Sequence, residues 1–260
     1  MPATLIGLLI ALAGVFVGAI THHVSPVFLI SNITALLIVI VGAFGATMAS
    51  FDMPTTSGIF KAIMRVLLPK KDHDPEATVR QLVGFARTAR SEGLLALEAQ
   101  MASVEDQFLR RALQLAIDGS DPEAVADVMK SEVKAMKARH KRSSDWCQQM
   151  GIFAPTFGII GAVIGLIATL GHLDKPEELG SGIASAFVAT FWGVFIANGV
   201  MLPISAKMKN SSAQEAMFRE MVMDGVLAIQ AGHNPRVVEE QLLSFLPTSV
   251  RASWAESSNG

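Results

Sequence analysis

The chain has 260 residues, of which 17% are charged and 51% hydrophobic. Its 21 basic and 23 acidic residues nearly cancel, so it carries no basic footprint for nucleic acid. A single cysteine, Cys147, excludes an internal disulfide or a multi-thiolate zinc site, and the positive mean hydropathy argues against a disordered chain and an ordinary soluble enzyme.

No Asp, Glu, Lys or Arg precedes Asp52, and two further stretches, 146–173 and 179–206, lack them over 28 residues each. A bilayer core of about 30 Å takes about 20 apolar residues, so each stretch holds one crossing and an emerging turn. The first stretch is too long for one helix. It breaks at Thr21-His22-His23-Val24-Ser25-Pro26, a polar turn ending in a helix-stopping proline. The pattern predicts helices over 3–20 and 27–48, forming a hairpin within 1–50, and helices over 147–172 and 180–206 within 146–206. The first has no basic segment ahead of it and does not read as a cleavable signal.

The basic residues set the expected orientation. The turn at 21–26 carries none, and the one at 173–180 carries only Lys175. Lys61, Arg65, Lys70 and Lys71 follow the second helix. Lys137, Arg139, Lys141 and Arg142 precede the third, and Lys207 and Lys209 follow the fourth. By the positive-inside rule both termini and the long middle segment are cytoplasmic.

That middle segment, 51–145, reads as helical. Phe108-Leu109, Ala112-Leu113 and Ala116-Ile117 recur at helical spacing. Asp121-Pro122-Glu123 is a helix start, with a cap, a first-turn proline and an acid, from which a helix runs through Val125, Val128, Met129 and Val133 towards the third membrane helix. In the tail, 207–260, Asn234-Pro235 repeats the start signal and Pro247 ends the short helix it opens. The expected fold is an all-α integral membrane protein: four transmembrane helices in a two-plus-two arrangement, with a large helical cytoplasmic domain between helices 2 and 3.

A helix that carries ions unaided normally places an ionisable group inside the bilayer. None of the four predicted spans has an internal Asp, Glu, Lys or Arg; His22, His23 and His172 lie at the outer ends. If the chain conducts an ion, a partner brings the ionisable group. The fourth helix carries small residues at Ser181, Ser185, Ala189, Gly193 and Ala197, and the third at Ala154, Gly158 and Ala162 and at Gly161 and Gly165. Such faces either pack within the chain or receive foreign helices. Pro155 and Pro203 each remove one backbone donor and free the carbonyl of a glycine four residues earlier, Gly151 and Gly199. Thr156 and Thr190 add hydroxyls at membrane depth, where threonine commonly bonds back to its own helix.

These features together resemble the flagellar motor stator A subunits of the MotA/TolQ/ExbB proton channel family. The likeness is carried by Phe85-Ala86-Arg87 to Arg90-Ser91-Glu92-Gly93-Leu94-Leu95-Ala96-Leu97-Glu98, by Ala154-Pro155-Thr156-Phe157-Gly158 followed by Gly165-Leu166, and by Ala184-Ser185-Ala186-Phe187-Val188-Ala189-Thr190, and it extends through Pro203 to Leu242-Pro247. The resemblance implies an inner-membrane, multi-pass subunit, with five copies surrounding two single-span, MotB-like B subunits that supply an essential intramembrane aspartate. Ion passage at that aspartate would drive rotation of the A ring. Arg90 and Glu98 would press on a FliG-like rotor switch protein. Pro155 and Pro203 would shape the path, and Thr156 and Thr190 would line it. Sodium-using members of the family place a threonine seven residues after the proline, where this chain has Ala162. A partly dehydrated sodium ion needs several oxygen ligands and a proton needs one acceptor, so the expected ion is H+, with no cofactor.

Two other readings stand beside this one. A TolQ/ExbB-like energiser of another envelope system would share the proline and threonine helices but typically has three spans. A membrane hydrolase would need a phosphate loop, a metal-spaced His/Cys cluster or paired intramembrane acids, and the chain has none of these patterns; His73, His140 and His233 are isolated. A sodium-driven stator remains a variant of the first reading.

Overall fold

The computed structural model describes residues 3–68, 74–171 and 176–258. Among them every regular element is a helix. In chain order these are α1 (Ala3–Thr21), α2 (Pro26–Ser31), α3 (Ile33–Ala49), α4 (Met53–Leu67), α5 (Pro75–Glu92), a 3-10 helix (Leu94–Ser103), α6 (Gln107–Ile117), α7 (Pro122–Leu170), α8 (Pro176–Phe195), a π segment (Ile196–Met201), α9 (Leu202–Gln230), α10 (Pro235–Leu243) and α11 (Thr248–Ser258). His172, Lys70, Lys71, His73 and Lys175 lie outside the described residues.

The chain divides into two compact units, Met1–Lys70 with His140–Ser211 and Lys71–Arg139 with Ser212–Gly260. Helices α7 and α9 contribute to both. The first unit therefore takes in α4, which follows the expected hairpin in sequence.

Among the described residues three helices are long and apolar enough to cross a membrane: Ala3–Thr21, Pro122–Leu170 and Leu179–Gln230. The last is α8 continued through the π segment into α9. The helix expected over 27–48 is instead divided into α2 and the 17-residue α3. The reason is Asn32. Its side-chain oxygen accepts from the Ala35 amide at 3.2 Å, capping α3, and so competes with continuation of α2. Its amide group donates to the Ser185 hydroxyl, and Trp192 Nε1 donates to the Leu29 carbonyl at 2.7 Å. Two side chains thus clasp the interruption to α8, which supplies the partners an interrupted helix needs away from water.

The core of the first unit is formed by Val39 and Ala43 of α3, Ile59 of α4, Trp146, Cys147 and Ala154 of α7, and Ala189 and Ala197 of the fourth apolar stretch. Phe44 meets Trp146 edge to face, ring centroids 5.5 Å apart. The buried Ser205 hydroxyl donates to the Ser144 carbonyl at 2.8 Å, joining α9 to α7. Helix α4 starts at Asp52, whose side chain accepts from the Thr55 amide at 3.1 Å. The bonds from Thr55, helped by the positive charge of Arg142, hold the Asp52 carboxyl below the ordinary carboxylate range.

In the second unit the predicted periodicity of α6 is realised. Phe108, Leu109, Ala112, Leu113, Ala116 and Ile117 are all buried, against Val79 and Leu82 of α5, Leu97, Met129 of α7 and Val222 and Val226 of α9. Helix α7 opens at Pro122 with Glu123 in its first turn, and α10 opens at Pro235 under the Asn234 side chain, as their start signals predict. Helix α10 ends at Leu243, before Pro247 is reached. Beyond Pro247 the chain forms α11, whose Trp254 donates from Nε1 to Glu239 at 2.6 Å beneath the Arg80 guanidinium, 4.3 Å from the ring.

The Asn32 cap and the Asn32 clasp are separable. Asn32→Ser keeps an N-cap oxygen but is too short to reach Ser185, so it loses the clasp alone; Asn32→Leu loses both. Thermal unfolding in detergent should show a small drop for the first, corresponding to about 1 kcal/mol, and a larger one for the second. Equal midpoints for the two variants would mean that the cap carries no stability, and a wild-type midpoint for Asn32→Ser would mean that the bond to Ser185 carries none.

Candidate functional site

The third and fourth apolar stretches meet along their small residues. A methyl group at Gly193 of α8 would lie 2.7 Å from the Ala154 carbonyl oxygen and 3.0 Å from the Gly158 Cα of α7. One at Gly158 would lie 2.9 Å from the Ala189 carbonyl oxygen and 3.2 Å from the Thr190 Cα. Further along, Gly161 faces Ala189 and Gly165 faces Ala186. Both faces are therefore used within the chain, backbone against backbone. Such contacts are the main source of helix association where lipid removes the hydrophobic drive.

This crossing holds two of the residues singled out for an ion path, Pro155 and Thr190. The Pro155 Cα is 3.2 Å from where a Gly193 methyl would stand, and the Thr190 Cα is 3.2 Å from where a Gly158 methyl would stand, so Pro155 lies opposite Gly193 and Thr190 opposite Gly158 in the same crossing. Thr156 is exposed, and its hydroxyl donates to the Phe153 carbonyl at 2.6 Å, so it is committed to its own helix. The half-buried Thr190 hydroxyl has no hydrogen bond among the described residues. Ala162, two turns beyond Pro155 on α7, is half-buried and offers no oxygen from its side chain.

The two prolines behave differently. Helix α7 runs unbroken through Pro155. Ahead of Pro203, in contrast, the helix widens into the π segment Ile196–Met201, where the Leu202 amide donates to Ala197, five residues back. Pro203 cannot donate to the Gly199 carbonyl and its ring crowds it; one wider turn relieves this. Asn198 in the segment turns its side chain back to the Val194 carbonyl at 3.1 Å. Phe195 packs over Gly199, where a methyl group would come within 3.0 Å of the ring.

Arg90 and Glu98 lie in the second unit, on either side of Gly93. Gly93 has φ of +87°, a conformation that only glycine adopts without strain, and it turns α5 into the 3-10 helix. Leu97 is buried, while Arg90 and Glu98 are exposed and take no ion-pair partner among the described residues. Asn32 and Trp192 were missed as site residues. The signal was present for Asn32, a strong N-cap residue after Ser31 within an apolar run, but nothing in the pattern pairs Trp192 with Leu29.

The geometry defines a class: an all-α membrane protein whose apolar stretches are locked by glycine contacts and bear sparse hydroxyls but no Asp, Glu, Lys or Arg. Comparison with known proteins narrows this. The model of the MotA/TolQ/ExbB proton channel family matches residues 100–221. The chain is 39% identical over 257 residues to motility protein A of Bacillus subtilis (strain 168), spanning 97% of this chain and 93% of that protein. It is 32% identical over 250 residues to the chemotaxis protein PomA of Vibrio alginolyticus, spanning 96% and 97%. Among solved structures it is similar to the flagellar MotAB stator complex of Bacillus subtilis, with a TM-score of 0.91 and 37% identity over 96% of this chain and 98% of that one. It is likewise similar to MotAB of C. jejuni, with a TM-score of 0.90 and 29% identity over 95% and 96%. The chain belongs to the MotA/TolQ/ExbB proton channel family.

The crossing generates a sharp expectation. Gly193→Ala places its methyl against backbone, which no side-chain rotation relieves, whereas Gly14→Ala and Gly45→Ala meet nothing within 4 Å. Gly193→Ala should lower the thermal midpoint in detergent by several degrees and reduce the yield of folded protein, with the other two near wild type. A neutral Gly193→Ala would rule out the close crossing.

Proposed function

We propose that this chain is the A subunit of a flagellar motor stator, coupling ion flow across the bacterial inner membrane to torque on the rotor. One observation carries the reading. The α7–α8 crossing presents a free hydroxyl beside a proline, yet the membrane stretches hold no Asp, Glu, Lys or Arg, in a chain that follows MotAB stator structures along nearly its whole length. An ion path so built needs an acid from elsewhere, and the solved neighbours are complexes with a second protein, MotB. In this reading the B subunit supplies a membrane aspartate inside a ring of A subunits, five around two. Apolar stretches α1, α2 with α3, the end of α7 and α8 with the π segment make four crossings, and both termini are cytoplasmic.

Thr190 lines the path beside the partner's aspartate, and Pro155 shapes it. Pro203 and the π segment ahead of it give that helix a second register, available to a conformational change. The conducted ion is the proton. Ala162 removes one oxygen that a dehydrated sodium ion would use, whereas proton transfer needs only an acceptor and water. Arg90 and Glu98 contact the rotor switch protein. Exposed charge pairs are worth about 0.2–1 kcal/mol, weak enough to form and release at each step.

The test is the swimming torque of cells whose sole A subunit is this chain, paired with its B partner, under independently varied proton and sodium gradients. Torque should follow the proton gradient and ignore sodium. Torque that follows sodium would remove the ion assignment and keep the stator, and no torque from a verified complex would remove the stator. For the rotor contact, Glu98→Lys should cut torque roughly twofold to fivefold, the scale of one such pair, with complex formation intact. Loss of the complex itself, without a separate torque defect, would sink that role.

A further inference from the structure

Helix α4 has two apolar faces, and its fold uses only one. Thr56 and Ile59 are buried in the first unit, and Ala62, Ile63 and Val66 pack beside them. On another side Met53, Phe60, Met64 and Leu68, at the helix end, are 64%, 66%, 52% and 58% exposed. At about 100° per residue these four form a single stripe, and Lys61 and Arg65 follow it along the edge away from the packed face. Neither Lys61 nor Arg65 has an ion-pair partner among the described residues. The acid at the start of the helix, Asp52, is occupied by its cap and lies 3.9 Å from Arg142.

An apolar stripe bordered by unpaired basic side chains is the pattern of a helix lying in the plane of a membrane surface. The apolar side chains enter the acyl boundary and the long basic side chains reach the phosphates. We propose that this face of α4 binds anionic phospholipid of the cytoplasmic leaflet, with Lys61 and Arg65 on the headgroup and Phe60 and Met64 between the upper acyl chains. The charge pattern selects this occupant. A purely apolar protein partner would leave both cations unpaired, whereas an anionic headgroup at their depth satisfies both. The proposal rests on the membrane reading given above.

The experiment uses the full chain with its B partner in nanodiscs. Cys147 is buried, so the variant F60C offers one accessible thiol for an environment-sensitive dye, at an exposed position whose change leaves the core intact. The variant M64C repeats the measurement. The dye should be quenched by lipids carrying a doxyl group near the headgroup. Phosphatidylglycerol titrated into phosphatidylcholine discs should shift its emission, and K61Q/R65Q should weaken that titration roughly 25-fold, about fivefold per basic residue. Quenching by aqueous iodide alone would overturn the proposal. So would protection from both quenchers, the result expected if a second copy of the chain covers the stripe, and so would a lipid contact indifferent to phosphatidylglycerol. A dye at I10C, on the exposed face of α1, separates the two levels of failure: if it too escapes the doxyl lipids, the membrane reading falls and takes this proposal with it.

Discussion

The first unit depends on one close approach, that of Gly158 to Gly193. Neither residue has room for a methyl group, and the atoms that would block it are carbonyl oxygens and α-carbons rather than side-chain ends. This contact fixes how far apart the third and fourth apolar stretches stand. It also brings Pro155 and Thr190 into one neighbourhood, because each is a chain neighbour of an atom in the contact. In lipid no hydrophobic gain drives two apolar helices together, so dispersion between close-packed backbones takes that role. A larger residue here would separate the helices and dismantle the candidate site in the same step.

A second constraint is that backbone groups away from water need partners. The apolar helices depart from regularity at two places, and each departure is answered from within the first unit. At Asn32 the chain interrupts its helix. The same residue caps the next one and ties itself to Ser185, while Trp192 supplies a donor for Leu29. Ahead of Pro203 the helix widens, the Leu202 amide reaches back to the Ala197 carbonyl, and Asn198 adds a side-chain donor to the Val194 carbonyl. Both sets of compensating groups sit on the fourth apolar stretch. It therefore serves two neighbours: Ser185 and Trp192 face the α2–α3 junction, and Ala186, Ala189 and Gly193 face α7.

What could be read from the sequence follows from the range of each physical signal. Charge voids are long and one-dimensional, so the apolar stretches were legible. Caps are local, so the starts of α7 and α10 were legible to the residue. The Asn32 break was obscured because hydropathy averages over a cap, and a single polar residue scarcely changes a window of apolar ones. The π segment depends on how a helix relieves one crowded carbonyl, and the response differs between Pro155 and Pro203, which look alike in sequence. Helix α11 was hidden because its anchor, Trp254 between Arg80 and Glu239, is made of residues far apart in the chain. The small-residue stripes were visible, but which surface they would meet was decided by Gly158 and Gly193 lying opposite each other. For Arg90 and Glu98, burial distinguishes nothing, since exposed charges are the common state; only the Gly93 corner between them marks the place.

The lack of acids and bases in the apolar stretches has an energetic consequence. A carboxylate that gains and loses a proton within a bilayer changes its own solvation by several kcal/mol at each cycle. Were it part of the α7–α8 crossing, that swing would fall on contacts that tolerate displacements of only a few tenths of an ångström. With the titrating group on a separate chain, as proposed, the swing would fall on the interface between the two. There, a change in charge becomes a change in relative position while the fold of each chain stays constant. The Thr190 hydroxyl, uncommitted within its own helix, suits such an interface: it can donate to a carboxylate and accept from a carboxylic acid. Thr156 already donates to Phe153 and must break that bond before it can donate to a carboxylate. Of the two threonines assigned to the proposed path, Thr190 is therefore the one whose hydrogen bonding can follow the protonation of a partner without disturbing α7.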